Sequence, residues 1–242
     1  MRHLLVSLVL LTACKHEGDD FPIAPGGDDS VISPMIDASV DAPLDGGPGS
    51  LIEGRVCVMI DPRNHTSCAD SGAGGLDVLL GTSSAVTTQD GTFTIMAPAG
   101  TNLAWVVGGG GVATSVMPFG TAHLIPVIDV ATQEDLLLDN GVITPADQGQ
   151  VFVRALRGGI PLAGVTAAVS PGGAPPTFAV RYDGLTPIAW TETATGMFGV
   201  SWLPGVPAGT VFVTVTPPDG TPRTVNLPVL GEANTFATVE IP

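Results

Sequence analysis

The densest group of chemically reactive side chains lies at Asp61, His65 and Cys68, with Cys57 shortly before them. A cysteine beside a histidine can act as a nucleophile, but the histidine needs a third group to orient it, and the sequence offers none. Zinc sites usually take four ligands in closely spaced pairs, and no second histidine lies nearby. The remaining chemistry is a disulfide between Cys57 and Cys68, so we predict neither a catalytic residue nor a metal ligand here.

A second candidate chemistry is the stacking of sugar rings on exposed aromatic side chains. Trp105 and Trp190 lie in alternating apolar runs, where packing in a core is the default. Tyr182 and Trp202 lie close to turns and are candidates for exposure. We therefore keep Tyr182, Trp190 and Trp202 as candidate glycan-binding residues.

Other catalytic and ligand-binding motifs are missing from the sequence. It contains no Gly-x-Ser-x-Gly, no His-Glu-x-x-His and no phosphate-binding glycine loop. The four glycines at 108–111 predict a flexible turn, and His123 lies in a strand-like run that suggests no function. The net charge of -15 repels phosphate and excludes a nucleic-acid partner. We expect no enzymatic activity and no cofactor.

The chain begins with the basic stretch 1–3, followed by an apolar run at 4–11. This run is too short for a transmembrane helix, which needs about 20 residues, but it has the size of a signal-peptide core. It ends in Leu-Thr-Ala-Cys, which resembles the bacterial lipobox. The resemblance implies that Cys14 carries a diacylglycerol thioether and usually an acylated amine, and several acyl chains anchor firmly. The alternative is an ordinary signal peptide with an incidental cysteine.

The lipobox also predicts where the protein lies and what surrounds its cysteines. A lipidated Cys14 makes the membrane a partner and places the chain in the cell envelope. Lys15 stands where an aspartate holds enterobacterial lipoproteins at the inner membrane, so the resemblance implies the outer membrane. Because this compartment is oxidising, the remaining pair, Cys57 and Cys68, predicts a disulfide. Closing so short a loop is worth roughly 3 kcal/mol in the chain-entropy model.

Residues 15–50 are predicted to form a disordered acidic linker. Glycine and proline punctuate them throughout, and their only base is Lys15. Such a segment buries too little apolar surface to offset its ordering entropy. As a random coil it reaches roughly 30–35 Å. Its eight acids are Glu17, Asp19, Asp20, Asp28, Asp29, Asp37, Asp41 and Asp45.

From Leu51 onwards the composition predicts an all-β fold. The chain has 32 glycines and 22 prolines, about 22% of its residues against a usual share of roughly 12%. These residues split Val, Ile, Leu and Ala into short runs, as in proteins with many strands and turns. The clearest hairpin signal is Asp90-Gly91 between two threonine-rich runs at 85–95. Residues 191–200 repeat that pattern in the second half.

Four short motifs recur in both halves and carry a resemblance. They are Gly-x-Val at 54–56 and 149–151, Gly-x-Phe at 91–93 and 196–198, Pro-x-Gly at 98–100 and 207–209, and Pro-Leu-Ala-Gly-Val at 161–165, which has a weaker counterpart at 74–78. Together they are similar to the carboxypeptidase regulatory-like domain, a transthyretin-type β-sandwich. The resemblance implies two tandem antiparallel β-sandwich domains, at 51–147 and 148–242. It implies no peptidase activity, because the catalytic domain of metallocarboxypeptidases is separate. An immunoglobulin-like sandwich is the competing topology.

One stretch departs from the β pattern. Residues 129–140 are rich in helix formers, and Thr132 with Asp135 forms a loose capping pattern. Asn140-Gly141 is a typical helix stop. The pattern predicts a helix at 132–139, shortly before a domain boundary at 147–149.

These features together predict a non-enzymatic envelope lipoprotein. Its two β-sandwich domains would serve adhesion, scaffolding or accessory binding to an unknown protein or polysaccharide. The alternative is a carbohydrate-binding module that uses exposed aromatic side chains.

Overall fold

The computed structural model describes residues 49–120, 123–169, 175–187 and 190–242. The predicted signal peptide, Cys14 and nearly all of the predicted linker lie outside these residues. The described residues form fifteen strands and one helix, which confirms the all-β prediction. No helix in these ranges is long and apolar enough to cross a membrane.

The elements of the first half lie between Leu51 and Asp139. They are β1 (Leu51–Val58), β2 (Asp77–Leu80), β3 (Ser83–Val86), β4 (Thr92–Met96), β5 (Ala104–Gly109), β6 (Val112–Pro118), β7 (Leu124–Val127) and α1 (Val130–Asp139).

The strands of the second half lie between Gln148 and Glu240. They are β8 (Gln148–Arg157), β9 (Ile160–Pro161), β10 (Thr166–Val169), β11 (Arg181–Tyr182), β12 (Val200–Pro207), β13 (Gly209–Thr216), β14 (Arg223–Val229) and β15 (Asn234–Glu240).

The described strands form one large sheet and two small ones. The large sheet has the order β11-β12-β8-β15-β6-β5-β2-β3, with β9 paired to β8. The small sheets are β4-β1-β7 and β10-β13-β14. Most pairings are antiparallel, but β1–β7, β8–β15 and β6–β15 are parallel. The last two arise because β15 returns from the small sheet β10-β13-β14 and inserts between the two halves.

Two cores lie between the large sheet and the small sheets. In the first half, Ile52 and Ile125 of the small sheet pack with Val78 and Trp105 of the large sheet. In the second half, valines of β13 and β14 pack against β8, β12 and β15. Each half is therefore a two-layered packing of sheets, as the sandwich prediction requires.

A third core lies on the opposite face of the second half. It joins Phe152, Trp202 and Phe236 of the large sheet to residues of the first half, including Met59 and Leu136. Because both faces of the central strands are covered, β8 and β12 are buried almost continuously. In β13, one face is open to solvent, and buried valines alternate with exposed residues.

Both predicted hairpins are wrong. The turn at Asp90-Gly91 exists, but β3 pairs with β2 and β4 pairs with β1, so the turn connects two sheets. Residues 191–199 form no strand, because a buried carboxylate binds their backbone amides, as described below.

The predicted helix is present, but it starts earlier than expected. It begins at Val130, and the Asp129 side chain caps it by accepting a hydrogen bond from the Thr132 amide at 3.0 Å. The predicted pairing of Thr132 with Asp135 is therefore not the cap. The predicted stop is confirmed: the Gly141 amide donates to the Leu138 carbonyl, and Gly141 has a φ of 62°.

The two halves are joined by more than a linker. β15 pairs with β8 along its whole length and with β6 at Asn234 and Thr235. The described residues fall in one compact unit. The division into domains at 51–147 and 148–242 stays a prediction, which the cooperativity of unfolding would test.

Candidate functional site

The reactive side chains of the first half lie in a loop closed by a disulfide, which packs in the third core with residues of the second half. Cys57 at the end of β1 is bonded to Cys68, with 5.0 Å between their Cα atoms, which confirms the predicted pairing. Residues 57–68 are called the disulfide loop below. Its base is closed by a β-bridge between Met59 and Cys68 and by a hydrogen bond from the Ile60 amide to the Ser67 carbonyl.

Arg63 is the charged side chain that the disulfide loop inserts into the second half. It is only 4% exposed. Its Nε and Nη2 donate to the Asp61 carboxylate at 3.0 and 2.7 Å, and its Nη1 donates to the Gly184 carbonyl at 2.7 Å. Its Cζ lies 4.7 Å from the centroid of the Phe198 ring. The buried guanidinium therefore has a bidentate charge partner, a carbonyl and an aromatic face.

His65 is the second buried polar side chain of the disulfide loop. Its ring meets Phe236 edge-on, with centroids 5.2 Å apart, and its Nε2 is buried without a hydrogen-bond partner among the described residues. Burial, and secondarily the positive charge of Arg154, lower the pKa of His65 from 6.5 to about 3. A base this weak cannot take up a proton near neutral pH, so His65 is placed for packing rather than for acid–base catalysis.

Asp183 organises the segment that receives Arg63. Its carboxylate is fully buried and accepts hydrogen bonds from the amides of Gly196, Phe198 and Val200 at 2.8–2.9 Å. Burial raises the pKa of Asp183, and the three amide donors oppose that effect. The carboxylate thus holds residues 196–200 in place, including the Phe198 ring that Arg63 covers.

Two of the three candidate glycan-binding residues lie in an aromatic cluster within the third core. We call Phe152, Trp190, Trp202 and Phe236 the aromatic cluster. Neighbouring rings in this cluster have centroids 5.2 to 6.0 Å apart. Trp190 and Trp202 are at most 1% exposed, and their Nε1 atoms donate to Pro187 and Gln150. Neither ring presents a face to a sugar.

Tyr182 is also buried, so the prediction that Tyr182 and Trp202 are exposed is wrong. The Ala167 amide donates to the Tyr182 hydroxyl at 3.1 Å, and the hydroxyl donates back to the Ala167 carbonyl at 3.4 Å. The hydroxyl therefore satisfies backbone groups at the outer edge of β10, where another strand could otherwise pair. Both residues lie in paired strands, Tyr182 in β11 and Trp202 in β12, so their nearness to turns along the chain does not expose them. The alternative function, a carbohydrate-binding module, was based on these three residues, and all of them are buried.

The other polar sites are open to solvent. A depression of about 580 Å³ is lined by Asp70, Gln89 and Asp90 among others, and one of about 570 Å³ by Arg55 and His123 among others. Hydrogen bonds from Thr88 and Thr92 lower the pKa of Asp90 to about 2.

His123 and the candidate metal ligands behave as separate groups. The His123 Nδ1 lies 3.0 Å from the Glu53 carbonyl, and its ring stacks on Phe119. Within residues 49–242, as far as they are described, no three His, Cys, Asp or Glu side chains come together as metal ligands. Asp61 binds Arg63, and the sulfur of Cys68 is bonded to Cys57.

Sequence reasoning missed two organising residues, Arg63 and Asp183. Asp61-Pro62-Arg63 gives a weak local signal, because an arginine two residues after an aspartate can form a bidentate pair. Asp183 is followed by glycine in Tyr-Asp-Gly, which looks like an ordinary turn. Its three amide partners lie 13–17 positions away, so no local pattern reveals them.

Comparisons with known proteins do not assign this chain to a family. No protein-family model matches it, and a search of curated proteins finds no significant match. Among solved structures, the Bacillus anthracis TIE protein aligns with 79% of this chain at 10% identity, with a TM-score of 0.25. The aligned part covers 34% of that protein, about a third of its length. A TM-score this low supports no conclusion about fold or function.

Proposed function

We propose that the protein is a non-enzymatic envelope lipoprotein that presents an all-β body for adhesion, scaffolding or accessory binding. The observation that carries the proposal is the order of features at the N-terminus. A basic start, a short apolar run, small residues and Cys14 follow one another as in a bacterial lipobox. Acyl chains on Cys14 would anchor the chain, with the outer membrane as the proposed location.

The composition of residues 15–50 supports display at a distance from the membrane. Eight acids and frequent glycine and proline favour an extended linker with a reach of roughly 30–35 Å. The chain from Leu51 onwards carries 15 acids against six arginines, a net charge of -9. Repulsion from anionic lipids would keep such a body off the membrane surface.

The junction between the halves supports a non-enzymatic role. Each group there that resembles a catalytic residue is engaged in holding the fold. The sulfurs of Cys57 and Cys68 are bonded to each other, and the Asp183 carboxylate is occupied by three amides. The His65 ring is buried against Phe236.

The test is metabolic labelling of the full chain with a radioactive fatty acid in a bacterial host. We expect label on the wild type and none on Cys14→Ser. The matched control is the double variant Cys57→Ser/Cys68→Ser, which removes two thiols but keeps Cys14. It should be labelled like the wild type, because acylation depends on the N-terminal signal. Equal labelling of the wild type and Cys14→Ser would contradict the proposal.

A further inference from the structure

The small sheet β10-β13-β14 has an outward face that lies outside the three cores. Its inward residues, among them Val211, Val213 and Leu227, belong to the core of the second half. Because side chains alternate along a strand, the residues between them point to the opposite face. We call these outward residues the open face: Thr166, Ala168, Thr210, Phe212, Thr214, Thr216, Thr224, Asn226 and Pro228. Seven of the nine are exposed and two are half-buried, so the open face is accessible to a partner.

Phe212 is the aromatic ring that the open face presents to solvent. It is 40% exposed, whereas the other aromatic side chains among the described residues are buried or half-buried. Its register partner on β14 is Asn226, which is exposed on the same face. Side chains directly opposite each other in an antiparallel pair have Cβ atoms about 4.5–5.5 Å apart. An apolar ring therefore stands beside an amide that can both donate and accept hydrogen bonds.

The open face carries hydroxyl groups but no ionisable group. Thr214 and Thr224 are register partners, and their hydroxyl oxygens are 2.9 Å apart. The chain from Leu51 onwards has 15 acids and six arginines, and none of them is among the nine residues of the open face. Arg223 of β14 pairs with the buried Val215 and so takes an inward position. A charged partner would find no countercharge on this face, whereas a neutral partner rich in hydroxyl groups would find donors and acceptors.

We propose that the open face binds a neutral polysaccharide, with Phe212 as the platform on which one sugar ring stacks. The C–H groups on one face of a pyranose ring carry partial positive charge, which the negative face of the aromatic ring attracts. The Asn226 amide is then placed to bind hydroxyl groups at the edge of the same sugar. The open face has none of the long flexible side chains whose ordering costs most entropy, which favours binding. This inference gives a ligand class to accessory binding, so it rests on that part of the proposed function.

The test is retention of the full chain, carrying Cys14→Ser so that residue 14 is not acylated, on insoluble polysaccharides. The neutral probes are cellulose, chitin and cross-linked dextran, and the charged probe is immobilised dextran sulfate. We expect retention on at least one neutral probe and none on dextran sulfate. No retention on any neutral probe, which is also the result for a face that binds a protein instead, would overturn the proposal. Stronger retention on dextran sulfate than on every neutral probe would overturn it as well.

Variants of the open face locate the bound polysaccharide. Phe212→Ala should weaken binding by a factor of roughly 5 to 30, as truncation of an anchor residue does, whereas Phe212→Tyr keeps the ring and should bind like the parent. Asn226→Ala removes the amide at an exposed position and should also bind more weakly. The matched control is Leu79→Ala, because Leu79 is 44% exposed on β2 in the first half and should leave binding unchanged. Unchanged binding in both Phe212→Ala and Asn226→Ala would overturn the assignment to the open face.

This test fails separately from the test of the proposed function. Retention on a polysaccharide does not involve acylation, and metabolic labelling does not involve the open face. Labelling of the wild type without retention would keep the lipid anchor and overturn the ligand class. Retention without labelling would keep the ligand class and contradict the anchor.

Discussion

Acidification should weaken the fold through His65. The imidazole is 6% exposed, and burial, with a smaller effect from Arg154, lowers its pKa to about 3. In the unfolded chain the same group titrates near 6.5. Between these values the unfolded state binds more protons than the folded state. Above pH 6.5 His65 is neutral in both states and does not reduce the free energy of unfolding. As the pH falls from 6.5 towards 3, protonation of the unfolded state lowers that free energy.

The size of the effect follows from the two pKa values. At pH 4.5 the unfolded histidine is almost fully protonated, two units below its pKa, whereas the folded one is almost fully neutral. At 1.36 kcal/mol per unit, the free energy of unfolding should fall by roughly 3 kcal/mol between pH 7 and pH 4.5. Full titration to below pH 3 would cost about 5 kcal/mol. The contribution of His65 alone is therefore a substantial part of the stability of a typical domain.

Other shifted groups either titrate outside this window or, like Asp183, act alike in the wild type and in a variant that lacks His65. Asp90 and Asp219 have lowered pKa values, so their contributions are lost only when the pH falls below about 4. Burial raises the pKa of Asp183, so protonation of Asp183 favours the folded state as the pH falls. That opposing effect remains when His65 is replaced.

The assay is urea unfolding of the wild type and of His65→Phe at pH 7, 5.5 and 4.5. The variant keeps the ring contact with Phe236 and has no proton to bind. Its free energy of unfolding should depend on pH more weakly than that of the wild type, by roughly 3 kcal/mol over this range. Equal slopes in the two proteins would refute the assignment of the pH dependence to His65.

Two further substitutions test Asp183, at the junction between the two halves, and the turn at Asp90-Gly91. Asp183→Asn keeps an oxygen for Gly196 and Val200 but turns an N–H towards the Phe198 amide, so thermal unfolding should show a loss of about 1–3 kcal/mol. Asp219→Asn, at an exposed ion pair, is the matched control and should unfold like the wild type. Gly91→Ala should destabilise by about 2 kcal/mol in urea unfolding, because φ is 82° and a Cβ would lie 2.6 Å from the Val56 carbonyl oxygen. If either variant is as stable as the wild type, the contact named for that residue does not contribute to the free energy of unfolding.

The fold class and the disulfide could be predicted from the sequence because both depend on local signals. Short apolar runs between glycines and prolines predict strands, and Cys57 and Cys68 were the only pair left for a disulfide. The pairing of strands could not be predicted, because it is set by contacts between distant residues. β15 inserts between β8 and β6, and nothing near residues 234–240 shows this.

The candidate site was predictable only in part, for a related reason. Burial is a property of the whole fold, so Tyr182 and Trp202 near turns looked exposed although both are buried. His65 looked like a candidate ligand or base, and only the tertiary packing shows it docked against Phe236. A buried carboxylate such as Asp183 leaves no sequence mark, because its partners are backbone amides that any residue can supply.

The most direct test of the proposed function is the mass of the N-terminal peptide of the mature protein, isolated from the membranes of a bacterial host. The account predicts a peptide that begins at Cys14 and carries the mass of a diacylglycerol, with a further acyl chain where the amine is acylated. An N-terminus at Met1, or a cleaved chain with an unmodified Cys14, would contradict it.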